Sequence, residues 1–317
     1  MPKFDKQVNH KYRYHVILVS VIILTCYYMF HFKSKEEDPF AVPFCEKDGT
    51  CHEKPDKPSP RTVYSAFSKE QYEKWWSFNT LLNVTCEEYN QKRKQNNDNK
   101  QALVLLGDSI TEAWRGTGYG QERHRADGVP QVLSDKFAKD FDPIVLGISG
   151  DQTQHLLYRI QNGQLPSKDE ESAIYVVMIG TNNLGSGELP GPVAKGILAV
   201  ADCILNNTKG QLLLFEVLPR GDGSKSLPKL CPPRCSSSGK PFKSFIPAVE
   251  KVNEDINEGV EDLKQTYSDR IGMIQCNSNF IDGESEVKEI IMPDLLHPNA
   301  AGHSFLADCI LGYLNKN

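Results

Sequence analysis

Two short stretches of the sequence combine the residue types of a serine nucleophile and its base. Gly107-Asp108-Ser109-Ile110 offers a serine hydroxyl for attack on a carbonyl carbon. Near the other end of the chain, Asp294 stands three residues before His297. This spacing lets the carboxylate fix the imidazole tautomer while the second ring nitrogen takes a proton from serine. Alone, the first stretch equally fits a turn with a helix N-cap, and the second fits a structural Asp-His pair.

Two further stretches between them offer hydrogen-bond donors for a developing oxyanion. In Gly147-Ile148-Ser149-Gly150-Asp151, a glycine lets the backbone approach a ligand and direct an N–H at it. In Gly180-Thr181-Asn182-Asn183, the Asn182 side chain could donate to the same oxygen. Each stretch is also an ordinary turn sequence. The order of all four stretches, nucleophile, two donors, then acid and base, is what indicates acyl transfer.

Alternating strands and helices are predicted to position these stretches. Short apolar runs predict buried strands at residues 102–106, 144–147, 173–179, 211–217 and 271–275. Helical patterns cover residues 66 to about 98, 152–162, 193–205, 246–267 and 300–314. This alternation implies a parallel sheet with helices on both faces, whose functional residues gather at the carboxyl ends of the strands. Three of the four stretches directly follow a predicted strand.

Together the four stretches resemble the conserved blocks of the SGNH (GDSL) hydrolase superfamily. The resemblance implies a three-layer α/β/α flavodoxin-like fold with a five-stranded parallel sheet. It implies Ser109 as the nucleophile, His297 as the base and Asp294 as the residue that orients the base. The oxyanion hole would consist of the N–H groups of Ser109 and Gly150 and the side chain of Asn182. Neither a metal nor an organic cofactor is expected.

A narrower resemblance concerns the catalytic subunits of intracellular platelet-activating-factor acetylhydrolase and related esterases. Residues 147–165 (GISGDQTQHLLYRIQNGQL), 180–183 and 213–221 (LLFEVLPRG) are similar to that family. The resemblance spans roughly residues 100–314. It implies a small ester substrate, an acylated lipid or glycan, with a short acyl group such as acetyl. Two alternatives remain open: a lumenal O-acyltransferase that uses the same acyl-enzyme, and a catalytically silent binding module.

The N-terminal residues predict a membrane anchor ahead of the enzyme. Residues 1–15 are interpreted as a short cytoplasmic tail, 16–32 as a transmembrane signal anchor and 33–65 as a proline-rich stem. Residues 66–317 form the predicted hydrolase domain, in which 222–245 is an inserted loop. A cleaved signal peptide and a buried core helix are the alternatives to the anchor.

The distribution of charge sets the expected topology and excludes one class of partner. Basic residues precede the apolar run, so the catalytic domain is expected in the lumen or outside the cell. The protein would then be a single-pass type II membrane protein of the secretory pathway. A formal net charge of -5 without a basic patch gives no reason to expect nucleic-acid binding.

Cysteines and sequons fit the oxidising side of the membrane. Local spacing predicts disulfides between Cys45 and Cys51 and between Cys231 and Cys235. Helical apolar patterns suggest buried free thiols at Cys203 and Cys309. The sequence shows no second ligand pair that would turn the Cys231–Cys235 stretch into a zinc site.

Two N-glycosylation triplets occur in the predicted catalytic domain. They begin at Asn83 and at Asn206. Because such triplets are frequent by chance, each adds little alone, but both agree with a lumenal domain.

Overall fold

The computed structural model describes residues 43–316 except 47, 49, 96–99, 232–233 and 284–285, and before them only Val19 and Phe40. The chain divides into two compact units, Met1–Val42 and Pro43–Asn317. Nearly all of the predicted anchor, residues 16–32, lies outside the described residues. Among the helices that are described, none is long and apolar enough to cross a membrane.

A five-stranded parallel sheet forms the centre of the second unit. Its strands are β1 (Gln101–Gly107), β2 (Phe141–Gly147), β3 (Ile174–Met178), β4 (Gln211–Phe215) and β5 (Ile271–Ile274). They are arranged in the order β2-β1-β3-β4-β5, and every pairing is parallel. This is the strand order of flavodoxin-like doubly wound sheets. The predicted five-stranded parallel sheet is therefore confirmed.

Helices precede, connect and follow the strands. They are α1 (Lys69–Gln95), α2 (Ser109–Glu112), α3 (Val129–Phe137), α4 (Thr153–Gln161), α5 (Thr181–Gly185), α6 (Pro190–Asn207), α7 (Gly223–Ser226), α8 (Ile246–Tyr267) and α9 (Ala300–Leu314). Single-turn 3-10 helices cover Ala113–Arg115, His124–Ala126, Leu227–Leu230, Ser268–Arg270 and Asn277–Asn279. Two hairpins of two-residue strands join Thr117–Gly118 to Gln121–Glu122 and Ile281–Asp282 to Glu286–Val287.

Both faces of the sheet are buried, which explains why its strands read as continuous apolar runs. Successive side chains of a strand point to opposite faces. In β1, Val104 and Leu106 join a core with α1, α4, α6 and α8, while Leu103 and Leu105 join a core with α2, α3 and α9. The result is three layers with β1 in the interior of the sheet, so the loop after β1 has a neighbouring loop on each side.

The prediction that residues 33–65 form a free stem is wrong for its second half. Residues 50–65, here called the strap, pack on the hydrolase domain, and the compact unit begins at Pro43. Glu53 is 6% exposed and Arg61 1% exposed. Charged, proline-rich sequence normally indicates a solvated linker. Here the charges are buried because His155 and Gly150 supply hydrogen-bond partners for them.

The structure contains both predicted local disulfides and one between distant cysteines. Cys45 pairs with Cys51 and Cys231 with Cys235. The expectation of a free thiol at Cys309 is wrong, because Cys309 on α9 is bonded to Cys276 just after β5. The helical pattern around Cys309 could not reveal a partner 33 residues away.

The sequence also predicts features of Cys203 and of the inserted loop. Cys203 is free and half-buried. The insert, residues 222–245, contains α7 and places Leu227, which is 1% exposed, in the core.

Candidate active site

Ser109 is the first residue of α2 and follows the end of β1 by two positions. Asp108 caps this helix, because its Oδ1 accepts a hydrogen bond of 2.9 Å from Ile110 N–H. Burial raises the pKa of Asp108 to about 7. The end of β2 lies against the same turn: a Cβ on Gly147 would be 2.3 Å from the Glu112 backbone nitrogen. Only glycine permits this approach, which brings the loops after β1 and β2 together.

The structure brings Ser109, His297 and Asp294 into one chain of hydrogen bonds. Ser109 Oγ is 3.0 Å from His297 Nε2, and His297 Nδ1 is 2.6 Å from Asp294 Oδ2. Burial raises the pKa of Asp294, but hydrogen bonds from the side chain and backbone of His297 outweigh this effect and hold it well below its usual range. Asp294 is therefore ionised at neutral pH and can hold the imidazole in place.

A tight turn sets the positions of the acid and the base. Asp294 Oδ1 accepts hydrogen bonds from the backbone N–H groups of Leu296 at 3.1 Å and His297 at 2.7 Å. Leu295, the residue after Asp294, has a φ of 63°. This left-handed conformation costs a non-glycine residue roughly 1 kcal/mol or more. The Leu295 carbonyl accepts from Gly221 N–H at 2.9 Å, so neighbouring structure holds this conformation.

Arg125 determines which nitrogen of His297 carries the proton. Its Nη1 is 3.3 Å from His297 Nε2. Because a guanidinium only donates hydrogen bonds, Nε2 must be an acceptor and the proton belongs on Nδ1, facing Asp294. Nε2 therefore carries the lone pair, and both Arg125 Nη1–H and Ser109 Oγ–H face it. This is the tautomer that a serine nucleophile requires.

The residues predicted to bind an oxyanion lie in the loops after β2 and β3. Gly150 has a φ of 78°, and Arg61 of the strap donates to its carbonyl oxygen. Within the described chain, no residue accepts a hydrogen bond from the backbone N–H of Gly150 or of Ser109. Asn182 Nδ2 donates to Asp151 O at 2.9 Å and to Asp108 Oδ2 at 3.3 Å. Asn182 thus connects the residue before Ser109 with the residue after Gly150.

Glu112 organises the site but was not predicted from the sequence. It is fully buried, and Ser149 N–H and Oγ–H donate to its Oε2 at 2.8 and 2.6 Å. Thr117 Oγ–H and Gly120 N–H donate to its Oε1 at 2.9 and 2.8 Å. Glu112 thereby ties the loop after β2 to the short helix of Ser109. The one feature of the sequence that could have revealed Glu112 is its position three residues after Ser109. It was not a clear signal, because an acidic residue on a short helix is usually solvated.

The two predicted glycosylation sites differ in exposure. Asn206 is exposed near the end of α6, and its side chain donates to Asp202 Oδ2 at 3.0 Å. Asn83 is half-buried in α1, where its Oδ1 accepts from Gln164 at 2.9 Å.

One group of side chains in the described chain has the spacing of metal ligands, namely Cys45, Cys51 and Glu188. The two cysteines are joined in a disulfide and offer no thiolate. This group therefore does not suit a metal ion.

Comparisons with known proteins agree with this architecture. The profile of the GDSL-like Lipase/Acylhydrolase family matches residues 105–305, more than half of the chain. The chain is similar to platelet-activating factor acetylhydrolase IB subunit alpha1 of Bos taurus, with 30% identity over 208 residues, 65% of this chain and 72% of that protein. It is 35% identical to subunit alpha2 of Rattus norvegicus over 191 residues, 58% and 68% of the two chains.

A solved structure shares the fold. It is that of a protein from Streptococcus pneumonia described as a platelet activating factor, which superposes with a TM-score of 0.52 at 16% identity. The superposition covers 77% of this chain and 97% of that one.

Proposed function

The chain belongs to the GDSL-like lipase/acylhydrolase family of carboxylic ester hydrolases, and we propose that it cleaves its ester through a Ser109-His297-Asp294 triad and an acyl-enzyme. The observation that carries this proposal is the continuous hydrogen-bond chain from Ser109 Oγ through His297 to Asp294, with distances of 3.0 and 2.6 Å. The donors and acceptors in this series of hydrogen bonds suit the two proton transfers of the reaction, from Ser109 to His297 and from His297 to the leaving alcohol.

In the proposed reaction, Ser109 Oγ attacks the ester carbonyl carbon while His297 Nε2 takes the hydroxyl proton. His297 then gives this proton to the oxygen of the leaving alcohol, and the acyl group stays on Ser109. Water repeats the sequence: His297 removes its proton, the acyl-enzyme is hydrolysed, and Ser109 recovers its hydrogen. Asp294 keeps the imidazole oriented and stabilises its charged form throughout. The products are an alcohol and a carboxylic acid.

The oxyanion of the tetrahedral intermediate is assigned to Ser109 N–H, Gly150 N–H and Asn182 Nδ2–H. The first two are supported by their lack of acceptors within the described chain. For Asn182, the longer hydrogen bond, 3.3 Å to Asp108 Oδ2, is the one that the oxyanion would replace. The two backbone N–H groups can stabilise the charge without giving up another hydrogen bond, whereas Asn182 must exchange one partner for the oxyanion.

We infer a short acyl group, such as acetyl, because the relatives named above are acetylhydrolases. The substrate would be an acylated lipid or glycan, whose alcohol part is the lipid or the glycan itself. A panel of 4-nitrophenyl esters of increasing acyl length tests the acyl preference directly. The acetate ester is expected to give the highest kcat/KM. A maximum of kcat/KM at acyl groups of roughly eight or more carbons would contradict the proposed preference for acetyl.

Fluorophosphonate labelling and Ser109→Ala test the mechanism itself. The wild-type protein should be labelled at Ser109, and Ser109→Ala should lose both the label and roughly four to six orders of magnitude of kcat. Purified Ser109→Ala with near-normal turnover would refute the triad. Product analysis with a sugar acceptor distinguishes hydrolysis from acyl transfer, and a protein that neither labels nor turns over esters would be a binding module.

We further propose that the catalytic domain lies in the lumen of the secretory pathway behind an N-terminal anchor. The basic residues before the apolar run support this topology, as do the cysteine pairs 45–51, 231–235 and 276–309. In sealed microsomes the domain should resist added protease and stay with the membrane in carbonate. Asn206→Gln should remove a glycan. Digestion of the domain without detergent would contradict this placement.

A further inference from the structure

Arg125 lies at the reacting atoms of the proposed triad, and no described carboxylate is in direct contact with it. Its Nη1 lies 3.3 Å from His297 Nε2 and its Nη2 lies 3.3 Å from Ser149 Oγ. The third nitrogen, Nε, is buried and has no hydrogen-bond partner. Among the described residues, no carboxylate forms a direct ion pair with this guanidinium, and Glu112, Asp294 and Asp108 act on it only as nearby charges. Buried side-chain donors such as this Nε–H are normally hydrogen-bonded.

The buried carboxylate of Glu112 compensates Arg125 only indirectly. Glu112 already accepts four hydrogen bonds, two of them from Ser149 at 2.8 and 2.6 Å. Arg125 reaches it only through the Ser149 hydroxyl. Burial lowers the pKa of the Arg125 guanidinium, while the charge of Glu112 raises it. The site thus holds a cation whose donors are not all used.

This position opposes catalysis as long as no anion joins it. Arg125 Nη1–H and Ser109 Oγ–H both point at the single lone pair of His297 Nε2, so they compete for it. When His297 takes the proton of Ser109, the imidazolium stands beside a guanidinium, and the two positive charges repel each other. An anion bound to Arg125 would remove both obstacles.

We propose that Arg125 is a receptor for an anionic group on the alcohol part of the ester, and that filling this receptor releases His297 for catalysis. The inference rests on the proposed function. His297 Nε2 hands its proton to the leaving alcohol, so a group beside Nε2 faces the alcohol side of the scissile bond. The acyl oxygen faces the other side, at the Gly150 and Asn182 donors. The anion is a carboxylate or phosphate, which the guanidinium fork binds through paired hydrogen bonds.

A second arginine adds to the positive charge on this side of the site. A Cβ on Gly118 would lie 3.2 Å from Arg123 Nε and 3.3 Å from Ser149 Oγ, so Arg123 lies on the same side of Gly118 as the hydroxyl that Arg125 contacts. Arg123 is exposed, and no described carboxylate forms a direct ion pair with it, although its charge reaches Glu70. The exposed Arg123 and the half-buried Arg125 would both attract an incoming anion.

Three aryl acetates that share one nitrophenol leaving group test the receptor. The ring carries a carboxylate, a phosphate or a neutral carboxamide, and each rate is corrected for the spontaneous hydrolysis of that ester. For the wild-type full chain, kcat/KM is expected to favour the anionic esters over the carboxamide by roughly 10- to 100-fold, as for a hydrogen bond to a charged group. The larger of the two ratios identifies carboxylate or phosphate as the native group.

Substitutions assign that preference to Arg125. Arg125→Gln should reduce the ratio to within about threefold of one and should raise kcat for the carboxamide ester, because a competing donor on Nε2 is lost. Arg125→Lys should retain an intermediate ratio. Lys139→Gln removes an exposed charge just before β2, at the amino-terminal end of the strands and thus on the far side from Ser109. It should leave the ratio unchanged.

A wild-type ratio near one would overturn the receptor, as would an Arg125→Gln variant that slows all three esters equally. Failure of the proposed function looks different: none of the esters would be turned over, or Ser109→Ala would be as active as the wild type.

Discussion

Replacing Glu53 of the strap by Gln should lower the free energy of unfolding by up to about 3 kcal/mol at neutral pH. The Glu53 carboxylate accepts hydrogen bonds from the side chains of Thr62, Ser65, Gln154 and His155. Gln keeps the shape of the side chain, but its NH2 group would face donors and leave some of them unpaired. The strap and α4 would therefore lose part of the hydrogen bonding that holds them together, while the bonds from Thr153 to Pro55 and from Ser59 to Gln154 remain.

The magnitude follows from the pKa of Glu53. Burial raises this pKa, but the hydrogen bond and charge of His155, together with Gln154 and Thr62, lower it from 4.5 to about 2. At 1.36 kcal/mol per tenfold change, this difference corresponds to about 3 kcal/mol, which is an upper bound at neutral pH because burial lowers the pKa of His155 and its charge is then absent. The folded pKa is depressed, so the stabilisation is complete above pH 4.5 and is lost as the pH falls through about 2. Gln, which resembles the protonated acid, lacks it throughout.

Urea unfolding of the full chain with its disulfides intact, followed by tryptophan fluorescence, measures the effect. Trp75 reports on the strap side of the sheet, because it is fully buried and its Nε1–H donates to Asp151. Glu258→Gln, on the exposed face of α8, is the matched control and should change stability by at most about 0.5 kcal/mol. Equal stability of Glu53→Gln and wild type at pH 7 would refute the argument. So would a difference that persists undiminished down to about pH 2.

Three further substitutions test the site and its support. Asn182→Ala should lower kcat by roughly 100- to 1000-fold with little change in KM, and a rise in KM alone would show that Asn182 binds the ground state. Arg61→Met should lower kcat by roughly 10- to 100-fold in steady-state assays, because the Gly150 carbonyl loses its donor and the loop shifts. Cys309→Ser opens a disulfide with a sequence separation of 33 and should cost about 3 to 4 kcal/mol in urea unfolding. Cys203→Ser, at a free half-buried thiol, is its control.

The sheet could be predicted from the sequence because its strands are buried on both faces. Their apolar runs are continuous, and the helices between them have clear periodicity, so β1 to β5 and α8 were placed to within a few residues. The positions of Ser109 and Asn182 follow from the same geometry, since residues after parallel strands meet at one edge, whereas the Asp294–His297 turn was recognised from its residue types and spacing. α3, Val129–Phe137, was missed because it is short and lies in a polar, glycine-rich connection.

The parts that could not be predicted depend on contacts between distant residues. Arg125 lies in a basic triplet, Arg123-His124-Arg125, which by itself indicates a solvated loop. Glu53 and Arg61 belong to a segment whose composition is that of a linker. A buried charge becomes tolerable only when tertiary structure supplies its partner, and local sequence contains no record of that partner.

One buried network links the backbone of both catalytic loops to the strap. Arg159 donates to the carbonyl oxygens of Gly107 and Leu146, each at 3.0 Å, at the ends of β1 and β2. Asp151 neutralises Arg159 at 2.7 Å, and Arg61 lies 3.8 Å from the same carboxylate. Removing one member of such a buried set leaves an uncompensated charge, which costs roughly 3 to 5 kcal/mol. Because Arg61 lies before residue 105, where the family match begins, the geometry of the site depends on residues outside that match.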